Sequence, residues 1–151
     1  MTNPNTPAER SPETMLGTLF GMPVPIIHKY TRAQAIEDGA LIQVPEAFAK
    51  EAGFKFPVAL TAAAWADCVA WSDEDSKAQT HQDETARLWD VLNMTRYAAV
   101  RSSGGGRITV QLYRIPCDGK TTRALPVSLA CEIGPGDNAE PVLTIMQPDE
   151  D

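Results

Sequence analysis

Apolar side chains along this chain change period partway through, from every third or fourth position to every second. In the first part, Thr31 with Gln34 makes a capping-box pattern and Gly39 supplies a stop, so a short helix is predicted over Arg32 to Asp38. Leu41 to Val44 reads as a brief strand. Pro45 stands at a favoured first helical position and Gly53 closes the segment, giving a second short helix over 45–52. Phe54 and Phe56 alternate around Lys55 as an extended edge, and Thr61 opens a third helix through Trp71, with Trp65, Cys68 and Val69 on a core face. Residues 72–82 are polar, and Ser72 with Asp75 and Thr80 with Asp83 resemble caps, so a loop or short helix is expected there. The longest element runs from Asp83 to Arg101, about 19 residues and roughly 28 Å. Its helical wheel puts Asp83, Arg87, Asp90, Tyr97 and Arg101 on one side and Leu88, Trp89, Leu92, Ala99 and Val100 on the other. Arg96 falls within the apolar arc, where a guanidinium needs a partner such as Asp67 or a path past Trp89.

After Ser102 to Gly106 the period becomes two. Ile108, Val110 and Leu112 point one way, and Thr109, Gln111 and Tyr113 the other. Asp118-Gly119 is a hairpin signal before the alternating run from Leu125 to Ile133. A turn at 134–137 then leads to a strand from Pro141 to Met146. Helices first and sheet later, without βαβ alternation, predict an α+β fold. The helices, including one long helix (about 83–101), pack on a C-terminal antiparallel three-stranded meander that short N-terminal strands can extend. The polar, proline-rich residues 1–14 read as a flexible tail, and 15–151 as a single domain. Met15 to Ile27 is apolar but broken by Gly17, Gly21, Pro23 and Pro25, so it either packs on the body or docks a partner.

A length of 151 residues fits one domain, and 43% hydrophobic with 22% charged residues excludes wholesale disorder. The N-terminus lacks the basic start and apolar run of a secretion signal. The 15–27 stretch falls short of the roughly 20 residues that span a bilayer. Three cysteines, Cys68, Cys117 and Cys131, form neither a disulfide framework nor a zinc pattern, and a reducing cytoplasm fits them best.

Net charge is −7, unevenly spread. Residues 66–93 carry two basic and seven acidic side chains, 94–123 six and one, and 124–151 none and six. Arg96, Arg101, Arg107, Arg114, Lys120 and Arg123 thus form a basic block between acidic ones. That block can bind phosphate, but pairing with the protein's own carboxylates is the expectation, and direct nucleic-acid binding is disfavoured by the overall charge.

Signals for catalysis are sparse. Gly104 to Gly106 lies between helix and strand in the order opposite to a phosphate loop, so no nucleotide cofactor is indicated. His28 and His81 are the two histidines, and His81 with Asp83 and Cys68 is the best available enzyme constellation. Asp83 is equally explained as a cap, and Cys68 as a buried core thiol. Asp73-Glu74-Asp75 lacks the following glycine and distal ligand of a calcium loop, so no metal is expected. With Asp83, Glu84 and the C-terminal Asp149, Glu150 and Asp151 these acids form the densest negative charge, either a solvated surface or an imitation of nucleic-acid phosphates for a basic groove on another protein.

The stretches YTRAQAIEDG (30–39), FPVALT (56–61), AWSDEDSKAQTHQDETARLWDVL (70–92) and GPGDNAEPVLTIMQPDED (134–151) resemble an uncharacterised family of small acidic proteins carried on bacterial plasmids and other mobile elements. The resemblance covers about 28–151 and implies a bacterial cytoplasmic setting and an accessory role, with no catalytic residue to carry over. The expectation is a non-enzymatic protein acting by contact with a host or element-encoded protein through Asp73, Glu74, Asp75, Asp83, Glu84 and Arg96, with the blocking of a defence or nucleic-acid-handling enzyme as one form of that role. A small enzyme at His81, Asp83 and Cys68 and a nucleic-acid binder through 96–123 are the alternatives. No membrane association is expected, and a homodimer stands beside the unknown protein partner.

Overall fold

A computed structural model describes residues 18–19, 22–23, 30–103 and 106–150. The chain divides into two units, Met1–Tyr30 and Thr31–Asp151. In the first, β1 (Thr18–Leu19) pairs antiparallel with β2 (Met22–Pro23), Leu19 opposite Met22. The expected tail over 1–14 and most of the apolar stretch 15–27 lie outside the described residues.

The second unit is α+β. In chain order it contains α1 (Arg32–Glu37), β3 (Leu41–Gln43), α2 (Glu46–Glu51), β4 (Val58–Thr61), α3 (Ala62–Cys68), α4 (Asp73–Ala78) and α5 (Glu84–Arg101), followed by β5 (Arg107–Arg114), β6 (Leu125–Pro135) and β7 (Pro141–Met146). One five-stranded sheet runs in the order β3-β4-β7-β6-β5. β5, β6 and β7 form the antiparallel meander, with Val110 opposite Leu129 and Cys131 opposite Ile145. β4 joins it in parallel, Val58 beside Leu143 and Leu60 beside Ile145, and β3 pairs antiparallel outside β4. The parallel pair makes the sheet mixed, because α3, α4, α5 and the first two meander strands all lie between β4 and β7 in the chain.

Local chemistry sets most helix starts. Thr31 and Gln34 form a complete capping box, and the Asp137 carboxylate accepts from the Arg32 and Ala33 amides at 2.8 and 3.0 Å, opposite the positive end of α1. Thr61 caps α3 through the Ala64 amide. α2 starts one residue later than its proline suggested, with Pro45 as N-cap. α3 ends at Cys68, three residues short of the expected Trp71. α5 is capped by Asp83.

Three other expectations are corrected or refined. Phe54 to Phe56 is not a strand; Pro57, which has no amide hydrogen, precedes the true strand, and the extended segment begins at Val58. Phe54 is instead buried in the core cluster that also holds Ala49 and Ala52. Asp118-Gly119 does lie in the hairpin that joins β5 to β6, but the connection is longer than a two-residue turn: it spans residues 115–124, in which Asp118 accepts from the amides of Lys120 and Thr121. The turn after β6 starts later than 134, since that strand continues to Pro135.

The core lies between the helices and one sheet face. Leu88, Val91 and Leu92 of α5 and Ala64 and Cys68 of α3 meet Val58, Leu60, Val110, Leu129, Cys131, Leu143 and Ile145. Phe48 of α2 stacks on Trp89 of α5, ring centroids 5.1 Å apart. On the other face Ala59, Val142 and Met146 are buried near the sheet centre, where the Arg32 guanidinium donates to the Thr144 hydroxyl and the Leu143 carbonyl. Toward β5 that face is open, with Thr109, Gln111, Tyr113 and Ser128 exposed. No helix among the described residues is long and apolar enough to cross a membrane.

Candidate functional site

Helix α4 carries the densest acids and contributes no buried side chain. It is nevertheless fixed at both ends. Ser72 and Asp75 form a capping box, and the Trp71 indole donates to the Ser76 hydroxyl at 3.0 Å. At the other end the Gln79 side chain bridges the 115–124 connection, donating to the Pro116 and Thr121 carbonyls and accepting from the Gly119 amide. The predicted acids therefore divide. Asp75 serves the Ser72 cap, whose backbone and hydroxyl hydrogen bonds lower its pKa, with the Cys117 thiol adding a further bond. Asp83 accepts from the Thr85 amide, and Glu84 from the Trp71 amide, each at 3.3 Å. Asp73 and Glu74 stand exposed, Glu74 4.0 Å from a similarly open Lys77.

The enzyme constellation is not brought together. Cys68 faces the core, and burial, followed by the neighbouring Asp67 charge, pushes its thiol up to about 12. A thiol held protonated is a poor nucleophile. His81 is exposed in the linker before α5, and Asp83 is occupied as that helix's cap. Among the described residues, no group of three or more His, Cys, Asp or Glu side chains is placed to hold a metal ion.

The fold divides the basic block, leaving Arg101 and Arg107 lining one groove. Arg107 and Arg114 occupy opposite faces of β5. Arg107 pairs with Glu132 at 2.7 Å and donates to the Pro148 and Glu150 carbonyls. Arg114 sets both Nε and Nη2 on one carboxylate oxygen of Asp67, at 3.0 and 2.9 Å, and Gln147 donates to the other oxygen. Arg101 stacks over Tyr97.

The wheel placed two arginines on the wrong sides. Arg96 is exposed, its side chain lying over Gly53, which has φ +98° and where an added Cβ would displace the Arg96 side chain. Arg87 is the buried one, 4% exposed, and Asp67 belongs to Arg114 rather than to Arg96. The Arg87 guanidinium donates to the carbonyls of Val69, Ile115 and Asp67 and lies over the Trp71 ring. Val100, expected in the apolar arc, is 69% exposed.

Sequence reasoning missed a second surface. β5 ends the sheet, and among the described residues no strand pairs with its outer edge. An open groove runs between α5 and the β5 end of the sheet. One part, about 750 Å³, sets Asp90, Asn93 and Met94 against Gln111, Leu112 and Tyr113 and reaches across to β6 at Val127. The other, about 720 Å³, sets Met94, Tyr97 and Arg101 against Arg107, Thr109 and Gln111. Met94 and Gln111 line both parts and mark the middle. Tyr97 and Tyr113, 56% and 69% exposed, stand along it. The alternation of Ile108 to Tyr113 was a sufficient signal for the strand, but edge position depends on strand order, which local pattern does not carry.

Residues 18–151 match a family model described as "Family of unknown function (DUF6573)". No curated protein and no solved structure matches the chain.

Proposed function

Since the chain belongs to this family of unknown function, we propose a role read from its own surface: a non-enzymatic binding protein acting by contact with another protein through the acidic face of α4 and the start of α5. The carrying observation is α4 itself. A six-residue helix that buries nothing gains little from the hydrophobic effect, yet caps, an indole and the Gln79 bridge hold it in one place. Such anchoring keeps Asp73 and Glu74 in a fixed geometry, which lowers the ordering penalty when a cationic surface meets them. The accessory role on a bacterial mobile element, and the blocking of a defence or nucleic-acid-handling enzyme, are supported by the sequence resemblance and by the negative charge, which would enter a basic groove as phosphates do.

The competing chemistries have less support. Arg107 and Arg114 are each engaged by a carboxylate and point to opposite faces, so they offer no continuous track for a phosphate backbone. Cys68 is sealed in the core away from solvent.

The test is native purification at moderate salt with mass spectrometry of what remains bound, repeated with Asp73→Lys/Glu74→Lys. Loss of a stoichiometric partner from a variant with unchanged circular dichroism supports the acidic face. Equal capture by the variant removes it.

A further inference from the structure

Among the described residues the outer edge of β5 is long and unpaired. Sheet edges are ordinarily blunted by shortness, proline, a bulge or a charge within the strand. The opposite edge, β3, has three residues, whereas β5 has eight, and the six between its terminal arginines, Ile108 to Tyr113, contain no charge and no proline. We propose that this edge and the adjoining groove are the interface of a two-fold homodimer, in which β5 pairs antiparallel with β5 of a second copy about Val110. This surface is separate from the acidic face and does not depend on it.

Register permits a second copy as occupant. A two-fold axis perpendicular to the sheet keeps like faces together, and centring it on Val110 sets Ile108 opposite Leu112, Thr109 opposite Gln111, and Arg107 opposite Tyr113. Every pair then joins residues of the same sheet face, core-facing with core-facing and outward with outward. A slip of one residue would oppose Arg107 to Arg114 and match core-facing with outward positions.

Charge on the helix repeats the same symmetry. Asp90 lies at the end of the groove near Tyr113, Arg101 at the end near Arg107, and Met94 close to the middle. The two-fold that exchanges the ends of β5 also exchanges the ends of α5, bringing Asp90 of each copy toward Arg101 of the other, with Met94 and Tyr97 between them. An isologous interface requires such self-complementarity, residue i meeting j and j meeting i. An arbitrary peptide strand would have no reason to match it. Pairing would also cover Tyr97 and Tyr113, exposed aromatic side chains of the kind enriched in interface centres.

The full chain is examined by sedimentation velocity and light scattering over a range of concentrations, and a dimer is expected. Thr109→Lys/Gln111→Lys alters two exposed outward positions and sets lysine against lysine across the edge; it should yield a folded monomer with unchanged circular dichroism. Asp90→Arg and Arg101→Asp should each weaken self-association about tenfold, through like charges at both symmetric contacts. Mixing these two single variants should restore the dimer, because each then supplies the charge the other lacks. A monomer at every concentration, as an intrachain occupant of the edge would give, overturns the proposal. So does a dimer indifferent to the paired lysines, or the absence of recovery on mixing.

Discussion

The Arg87 guanidinium lies 4.7 Å from the centroid of the Trp71 ring, buried where a helical wheel assigns it to solvent. The carbonyls of Val69, Ile115 and Asp67 converge on it from the end of α3 and the exit of β5. It therefore adds a polar tie between three segments that the apolar core also joins. Arg87→Ala leaves those acceptors facing a void and is expected to cost about 3 kcal/mol, read as a lower urea midpoint at constant slope. Arg87→Lys should recover only part of that loss, because an ammonium cannot reproduce the planar fork. An alanine variant as stable as the parent would show that the contacts have no net value.

Much of the fold was legible because its signals are local. Thr31 with Gln34, Thr61, and Ser72 with Asp75 cap the helices they announced, and Ile108, Val110 and Leu112 alternate as a half-buried strand should. The parallel pairing of Val58 with Leu143 was not legible, since partners more than eighty positions apart are chosen by tertiary packing. Arg87 and Arg96 were exchanged for a related reason: a wheel ranks side chains by polarity and cannot see carbonyls arriving from other segments. At the acidic face the residues were legible but their duties were not. Glu84 looks like any exposed acid until the Trp71 amide is found against it.

The three cysteines should separate cleanly in a thiol assay. Cys68 and Cys131 are buried, and burial pushes their thiols up to about 12 and about 11, whereas Cys117 is exposed on the β5–β6 connection. Native protein should give one equivalent of reaction with a disulfide reagent, and denatured protein three. The native reaction should also be slower than that of a free thiol at neutral pH, because desolvation and the Asp75 carboxylate raise the Cys117 pKa. Two or more reactive thiols in native protein would contradict this core.

Thr95 is fully buried within α5, and its hydroxyl has no hydrogen-bond partner among the described residues. Valine has nearly the same shape without the polar group. Thr95→Val should therefore stabilise the domain by about 1 kcal/mol, measured by chemical denaturation. Destabilisation would mean that the hydroxyl finds an acceptor, such as the preceding turn of its own helix.

Acid should loosen the β5–β6 connection before it unfolds the core. The Asp118 carboxylate accepts from the Thr121 hydroxyl and then from the Thr121 and Lys120 amides, which lowers its pKa from 3.8 to about 2. A carboxyl whose folded pKa lies below its unfolded one contributes stability that is complete above the unfolded value and is lost as pH falls through the folded one. The window is therefore pH 4 down to 2, with stability falling as the unfolded chain binds the proton first. Asp118 is fully exposed, so the effect is local order rather than a large share of global stability. The amide resonances of Lys120 and Thr121 should titrate with a midpoint near 2 and lose protection there, and Asp118→Asn should abolish that transition. Because Gln79 bridges the same connection, the amides of α4 should begin to exchange faster in the same window, while those of β6 stay protected. A midpoint near 3.8 would mean that the hydroxyl and amides do not hold the carboxylate.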